Sequence, residues 1–297
     1  MYRCLIWGYS TIFYSHYNLL RSYEEKEEIK IAAITGKEMG YATIDDIPFV
    51  SKSAIKVRDY DCVIIMSDKR AEIENEAMNL GFEENIIIGY KALEIWEFSF
   101  ERFLALKKCM PSIIANNCWG GLTYNSIGER FKSPLINLFL TEEDYLKLLM
   151  CPRKYLEQTI SFEYTKYSEI THREYPVCSC NDILIHFNHY DDFEHAKTCW
   201  DKRKNRINWD NLFVFFYTNN IKSAQIFDEL SFPQKICFTS FDVKNEDLNF
   251  AIQVPFYNKG VFKGKELWES VNAMAKREIP FYDIIELLHH GSFKCIV

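Results

Sequence analysis

Residues 3–8 read Arg-Cys-Leu-Ile-Trp-Gly, a short apolar run that ends on a glycine. Similar runs recur at 29–34, 62–66 and 86–88, and helix-like stretches such as 12–23 separate them. Strands that are apolar at every position are buried on both faces, so this alternation predicts a parallel sheet covered by helices. The first hundred residues are therefore expected to form a small Rossmann-like domain.

The second part of the chain repeats this pattern with longer spacings. Its strand-like runs are expected at 112–115, 135–140, 183–187, 212–217, 235–239 and 250–254. The sequence thus predicts an α/β protein of two packed domains with mainly parallel sheets, residues 1–104 and 105–297. No Pro-, Gly- or Ser-rich linker separates them.

Composition excludes several classes of protein. The chain has 297 residues and a net charge of −7, which argues against a nucleic-acid partner because such proteins are basic. No apolar run approaches the roughly 20 residues of a transmembrane helix, and the first residues are not expected to act as a signal peptide. The ten cysteines are scattered, and Cys178-Ser-Cys180 lacks zinc-site spacing. We therefore expect a cytoplasmic protein with free thiols and no metal.

The turn after the first strand resembles a dinucleotide-binding turn only in part. It reads Gly8-Tyr-Ser-Thr-Ile-Phe13, so Ser10 and Phe13 stand where the G-x-G-x-x-G fingerprint has its second and third glycines. Those glycines allow the backbone to approach a pyrophosphate and the helix to pack closely. No acidic residue ends the second strand to hold a ribose. NAD is therefore not the expected cofactor.

The first candidate site is a polar, glycine-rich turn between a strand and a helix. It contains Asn116, Asn117, Cys118, Trp119, Gly120 and Gly121, with Tyr124 one turn further on. A thiol at a helix start has a lowered pKa, so Cys118 is a candidate nucleophile and Asn117 a candidate oxyanion donor. The alternative is that Asn117 caps the helix while Cys118 and Trp119 are buried.

The second candidate site is His186-Phe-Asn-His189-Tyr190, at the end of a strand. Histidine titrates near neutral pH, so His186 or His189 is a candidate general acid or base, with Tyr190 beside the substrate. Either histidine can instead be a core residue bonded to a backbone carbonyl.

The third candidate site is basic. Arg203 lies in the last turn of the helix that begins near Phe193, and Arg206 and Asn208 follow that helix, in a chain that is acidic overall. Arginine binds phosphate through two parallel hydrogen bonds, so these residues are candidates for an anionic ligand. The alternative is that cations here only stabilise a helix C-terminus.

Four motifs carry a resemblance to a known family. The runs 113–121 (IIANNCWGG), 131–139 (FKSPLINLF), 186–190 (HFNHY) and 200–208 (WDKRKNRIN) resemble bacterial domains of unknown function that are often labelled exopolysaccharide biosynthesis proteins. The resemblance implies a bacterial cytoplasmic role beside surface-polysaccharide enzymes. The Asn-Asn-Cys turn is also similar to that of capsule acetyltransferase-like proteins, which bind coenzyme A.

Together these observations predict a transferase for surface polysaccharide, with acyl transfer to a sugar or a sugar-linked carrier as the leading reaction. The alternatives are glycosyl transfer without a covalent cysteine step, and a non-catalytic protein that binds sugar nucleotides or assists assembly. The expected ligand is a phosphorylated or sugar-linked small molecule, with a coenzyme A derivative or a nucleotide sugar as cofactor, and the chain is a possible homo-oligomer. We expect the three candidate sites to meet in one cleft, because the carboxyl ends of parallel strands share an edge.

Overall fold

The protein is described here from a computed structural model, which defines residues 1–37, 40, 42–244, 246–254 and 267–296. The chain divides into two compact units. Unit 1 comprises Met1–Cys109 and Ser126–Arg130, and unit 2 comprises Met110–Asn125 and Phe131–Val297. The domain boundary expected after residue 104 stays a prediction.

Unit 1 contains a four-stranded parallel sheet in the order β2-β1-β5-β6. Its elements are β1 (Tyr2–Trp7), α1 (Thr11–Glu25), β2 (Ile29–Thr35), β3 (Thr43–Ile44), β4 (Ile47–Pro48), β5 (Cys62–Ile65), α2 (Arg70–Asn79), β6 (Ile87–Gly89) and α3 (Phe100–Lys108). The two-residue strands β3 and β4 form a separate antiparallel pair.

Burial on both faces explains why β5 is apolar throughout and β1 is apolar from Cys4 onward. All four residues of β5 are buried, as are the last four of β1. On one face Leu5 and Trp7 join a core cluster that includes Ala77 of α2. Helix α1 packs on β2 and buries Phe13.

A buried group of charges joins residues 126–130 to the rest of unit 1. The Glu129 carboxylate lies 2.7 Å from Lys107 Nζ and 3.5 Å from the Arg70 guanidinium. Arg130 lies 3.3 Å from Glu74, which is also buried. Burying an unpaired charge costs free energy. Residues 126–130 can therefore pack here only because these charges pair with one another.

Unit 2 contains a parallel sheet in the order β13-β12-β11-β7 and an antiparallel sheet in the order β10-β9-β8. Its elements are β7 (Ser112–Ala115), α4 (Trp119–Ser126), α5 (Glu142–Met150), α6 (Pro152–Leu156), β8 (Ser161–Ser168), β9 (Arg173–Cys180), β10 (Ile183–His186), α7 (Phe193–Lys204), β11 (Leu212–Tyr217), α8 (Ile221–Glu229), β12 (Gln234–Thr239), β13 (Ala251–Gln253), α9 (Leu267–Ala275) and α10 (Ile284–His290).

The mixed α/β class with parallel sheets is confirmed, and three details of unit 2 differ from the sequence prediction. Residues 135–140 are not a regular strand, and β10 belongs to the antiparallel sheet rather than to a parallel one. The hairpin of β8 and β9 has no counterpart in the prediction, because the first seven residues of β8 are exposed and lack an apolar pattern. Rossmann-like topology for unit 1 stays a prediction.

No helix in the described part of the chain is both long enough and apolar enough to cross a bilayer.

Gly8 allows β1 to turn towards α1, and its replacement is expected to destabilise unit 1. Its φ is +106°, and an added Cβ would lie 2.9 Å from the carbonyl oxygen of Met66. We expect Gly8→Ala to lower the free energy of unfolding by about 3 kcal/mol in urea titrations, from backbone strain plus this clash. Gly40→Ala is the matched control, since its φ is +74° with nothing near the added Cβ. Equal losses in both variants would contradict the role given to the Met66 carbonyl.

Candidate functional site

The turn after β7 is held by the two asparagines in different ways. The Asn116 side chain donates to the backbone oxygen of Tyr217 (3.2 Å) and accepts from its N–H (3.3 Å). It therefore ties the carboxyl end of β7 to the end of β11. The Asn117 Oδ1 accepts from the backbone N–H of Trp119 (3.0 Å) and so caps α4, as the alternative interpretation of this residue required.

The other half of the Asn117 amide is a buried donor. Asn117 is 6% exposed, and its Nδ2 has no hydrogen-bond partner within the described ranges of the chain. A buried polar group that lacks a partner costs about 1–3 kcal/mol, so such groups in folded proteins call for an explanation. This donor lies at the positive end of α4, where a bound anion is favoured.

The pKa of the Cys118 thiol is not lowered, as activation of a cysteine nucleophile would require. Desolvation by the surrounding protein raises the pKa of its thiol to about 11, although the nearby charge of Lys276 acts in the opposite direction. About one thiol in ten thousand is therefore ionised at pH 7. The lowering expected from the helix start is outweighed by burial.

Trp119 and Tyr124 lie in the core of unit 2 rather than at a surface. Trp119 stacks on Phe215 with ring centroids 4.1 Å apart, and its indole N–H donates to the Tyr282 hydroxyl (3.1 Å). The Tyr124 hydroxyl donates to the backbone oxygen of Pro111 (2.7 Å). Neither side chain has any exposed area, so these contacts indicate packing roles.

Gly120 and Gly121 allow α4 to approach its neighbours closely. A Cβ on Gly120 would lie 3.0 Å from Ile113 of β7, and one on Gly121 would lie 3.0 Å from both Ile136 and Asn137. These glycines position the N-terminus of α4.

Residues 136–140 form a segment that joins the two sheets of unit 2, and we call it the bridging segment. The Leu140 N–H donates to the Asn116 oxygen at the end of β7 (3.0 Å). Phe139 exchanges two backbone hydrogen bonds with His186 at the end of β10 (3.0 and 2.9 Å). The two strand ends therefore meet through this segment, whereas the sequence placed both strands in one parallel sheet.

Tyr190 and Arg203 bring the second and third candidate sites to the same place. The Tyr190 hydroxyl donates to the Ile136 oxygen of the bridging segment (2.7 Å) and accepts from the Arg203 guanidinium. Cys118 lies within electrostatic range of Tyr190 and of Lys276. We call Asn117, Cys118, Tyr190, Arg203 and Lys276 together the Asn117 corner.

The two predicted histidines occupy different environments. His186 is buried, its ring stacks on Phe139 at 4.4 Å, and burial together with the charge of Lys166 lowers its pKa. His189 is exposed next to Tyr190, and its partial removal from water also lowers its pKa. Both are therefore neutral at pH 7, the form that accepts a proton.

Arg206 contacts the same residue as Arg203, whereas Asn208 lies at the other end of β7. Arg206 donates to the backbone oxygen of Phe131 (3.3 Å), and the ring of Phe131 lies under Arg203. The Asn208 N–H donates to Ser112 Oγ (2.8 Å), at the amino end of β7. Asn208 is thus separated from Asn116 by the length of this strand, about 13 Å at ~3.3 Å per residue.

Two residues near the corner were missed by the sequence analysis. Lys276 follows α9 and acts on Cys118, and the ring of His195 in α7 lies 5.2 Å from that of Tyr190. No motif marks either residue. His195 could have been found from its position one turn into the helix that follows Tyr190, but Lys276 is distant in sequence from every other member.

The described residues hold no group of three or more His, Cys, Asp or Glu side chains arranged to bind a metal ion. The ten cysteines, all described, are free.

The fold and this site define unit 2 as an α/β domain with a polar corner at the carboxyl end of its parallel sheet. Residues 89–289 match the family described as domain of unknown function DUF1919, and the chain belongs to that family. Residues 1–88 match a family described as C2185-like, N-terminal. An uncharacterised protein of Haemophilus influenzae is 29% identical over 186 residues, which cover 61% of this chain and 84% of that protein.

Thiol labelling tests the chemistry assigned to Cys118. At pH 7 we expect iodoacetamide to modify Cys118 at least about 100 times more slowly than the exposed Cys151, because few Cys118 thiols are ionised. Peptide mass spectrometry of timed samples measures each rate separately. If Cys118 were labelled faster than Cys151, its thiol would be activated and Cys118 would again be a candidate nucleophile.

The lowered pKa of His186 predicts a pH dependence of stability. In the unfolded chain His186 binds a proton below about pH 6.5, whereas in the folded chain its pKa is lower. Stability is therefore lost as the pH falls through the folded-state pKa. We expect the decrease in unfolding free energy between pH 7 and pH 5 to be smaller in His186→Gln. His290→Gln, at an exposed histidine, is the control and should keep the wild-type slope. An unchanged slope in His186→Gln would refute this assignment.

Proposed function

We propose that this protein is a cytoplasmic transferase of surface-polysaccharide biosynthesis, and that the phosphate of its donor binds at the Asn117 corner. The donor is a nucleotide sugar or a coenzyme A derivative, and the acceptor is a sugar hydroxyl. The resemblance to proteins labelled exopolysaccharide biosynthesis proteins supports the biological setting. The donor site is supported by the chemistry of the corner.

The observation that carries the proposal is the buried Asn117 Nδ2, which has no hydrogen-bond partner among the residues that the structure describes. A phosphate oxygen at the start of α4 would accept from this amide and from backbone N–H groups of the first turn. The helix dipole favours negative charge at the same point. Each of these donors is neutral, so the site also needs cations to bind phosphate strongly.

Arg203 and Lys276 supply that positive charge. Within the described part of the chain Arg203 forms no ion pair, and its guanidinium is held by the Tyr190 hydroxyl while the Phe131 ring lies 5.0 Å away. A guanidinium fixed in this way is ready to bind phosphate with little loss of side-chain entropy. Lys276 pairs only loosely with Glu278, at 3.7 Å.

The protonated thiol of Cys118 favours direct transfer rather than a covalent cysteine intermediate. In direct transfer the acceptor hydroxyl attacks the donor, its proton passes to a base, and the phosphate-bearing group leaves. His189 suits the base because it is exposed, neutral at pH 7 and adjacent to Tyr190. Both glycosyl and acyl transfer can proceed in this way, and the identity of the donor decides between them.

A ligand screen with an isosteric variant tests the donor site. Nucleotide sugars, coenzyme A and acetyl-coenzyme A are added to the full chain, and the melting temperature is measured. At 100 times its dissociation constant a donor should raise the melting temperature by about 5 °C or more. Asn117→Asp should abolish this rise, because aspartate still caps the helix but replaces the amide donor with a negative charge.

Lys202→Gln is the matched control, since Lys202 is exposed on the same helix as Arg203 and should keep the response. A donor that stabilises wild type and Asn117→Asp equally would place its phosphate elsewhere. No response to any donor would overturn the proposal. Binding without transfer to sugar acceptors would favour the non-catalytic alternative.

A further inference from the structure

The outer edge of β8 has features of an interaction surface. β8 is the last strand of the β10-β9-β8 sheet, and no described strand pairs with its outer side. Its first seven residues are exposed, among them Phe162 (49%), Tyr164 (45%) and Tyr167 (49%). Such an edge presents a row of backbone N–H and C=O groups that can pair with another strand.

The sequence of β8 favours a β-strand and has no net charge. It reads Ser-Phe-Glu-Tyr-Thr-Lys-Tyr-Ser, without glycine or proline and with four aromatic or β-branched residues. Its two charges, Glu163 and Lys166, cancel, and neither forms an ion pair within the described residues. A lone lysine often protects an edge from pairing, but here an acidic residue three positions away offsets it.

A bulge determines which side chains share a face of β8. The pairing with β9 steps from Phe162–Cys178 directly to Tyr164–Val177, so Glu163 is the extra residue. Counting from this bulge, Phe162, Thr165 and Tyr167 lie on one face of the sheet. Tyr164 and Lys166 lie on the other face.

This pattern is symmetric about Thr165. If the strand is laid antiparallel against an identical strand with Thr165 opposite Thr165, Phe162 faces Tyr167 and Tyr164 faces Lys166. In every pair both side chains are on the same face, which a two-fold axis perpendicular to the sheet requires. The bulged Glu163 then lies beside Lys166 of the second strand, so each copy supplies one charge to each of two ion pairs.

We propose that a second copy of this chain pairs with the β8 edge, forming a two-fold symmetric dimer with a continuous six-stranded antiparallel sheet. The contacts are backbone hydrogen bonds, two Phe162–Tyr167 ring pairs, and two clusters of Glu163, Tyr164 and Lys166. Aromatic pairs and opposite charges across strands each stabilise such pairing, and like charges oppose it. The self-complementary order of the residues favours this chain itself over an unrelated peptide.

Reversing the charges tests the pairing. Sedimentation velocity over a range of concentrations should give a dimer for the wild type and a dissociation constant at least about tenfold higher for Lys166→Glu, in which acidic side chains face each other. The double variant Glu163→Lys with Lys166→Glu should restore the dimer. These positions are exposed, so the monomer fold should be unaffected.

Lys222→Glu is the matched control, because it makes the same charge change at an exposed position of α8 and should leave the dimer intact. A wild-type chain that stays monomeric at 100 times the concentration used for purification would overturn the proposal. The proposal would also be overturned if Lys166→Glu left the dimer unchanged, or if the double variant dimerised no more strongly than Lys166→Glu.

Cross-linking tests the register independently. Thr165→Cys should form a disulfide between copies under mild oxidation, because residues opposite each other in antiparallel strands are about 4.5–5.5 Å apart at Cα. Ser168→Cys should not, since in this register its two copies lie about 20 Å apart at ~3.3 Å per residue. Peptide mass spectrometry distinguishes these links from any made by Cys151 or Cys295. Equal cross-linking at both positions would contradict the proposed axis.

Discussion

The backbone hydrogen bonds of the bridging segment are the contacts on which the candidate site depends. Leu140 is bonded to Asn116 at the end of the parallel sheet, and Phe139 is bonded to His186 at the end of the antiparallel sheet. The two strand ends belong to separate sheets, and the hydrogen bonds of this segment connect them. The same segment accepts the Tyr190 hydroxyl at Ile136, and Tyr190 in turn orients Arg203.

Burial decides the chemistry available at this site. A helix start lowers the pKa of a thiol, but desolvation of Cys118 is the larger effect and raises its pKa to about 11. Desolvation also lowers the pKa of His189 and keeps it in the form that accepts protons. The corner therefore combines a neutral base, a buried amide donor and a fixed guanidinium. This combination suits the binding of an anion and direct transfer better than nucleophilic catalysis by cysteine.

Much of the fold could be predicted from apolar patterning. The strands β1, β2, β5, β7 and β11 are mostly buried and mostly apolar, so the sequence marks them within one or two residues. β8 carries no such signal because it is exposed on both faces. In residues 135–140 the apolar pattern correctly indicates burial, since Leu135, Ile136, Leu138 and Leu140 are buried. These residues are buried without forming a regular strand, so the pattern indicated the wrong element.

The sequence by itself determined the α/β class, the position of Asn117 at a helix start and the basic character of the chain around Arg203. Each of these depends on residues that are close in sequence. Only the tertiary structure decided that the Asn117 amide donor finds no partner in the described part of the chain, that Cys118 is protonated and that Lys276 acts at the same corner. How strongly a group is desolvated, and whether a donor has a partner, depend on segments that are distant in sequence. The local sequence therefore does not reveal either property.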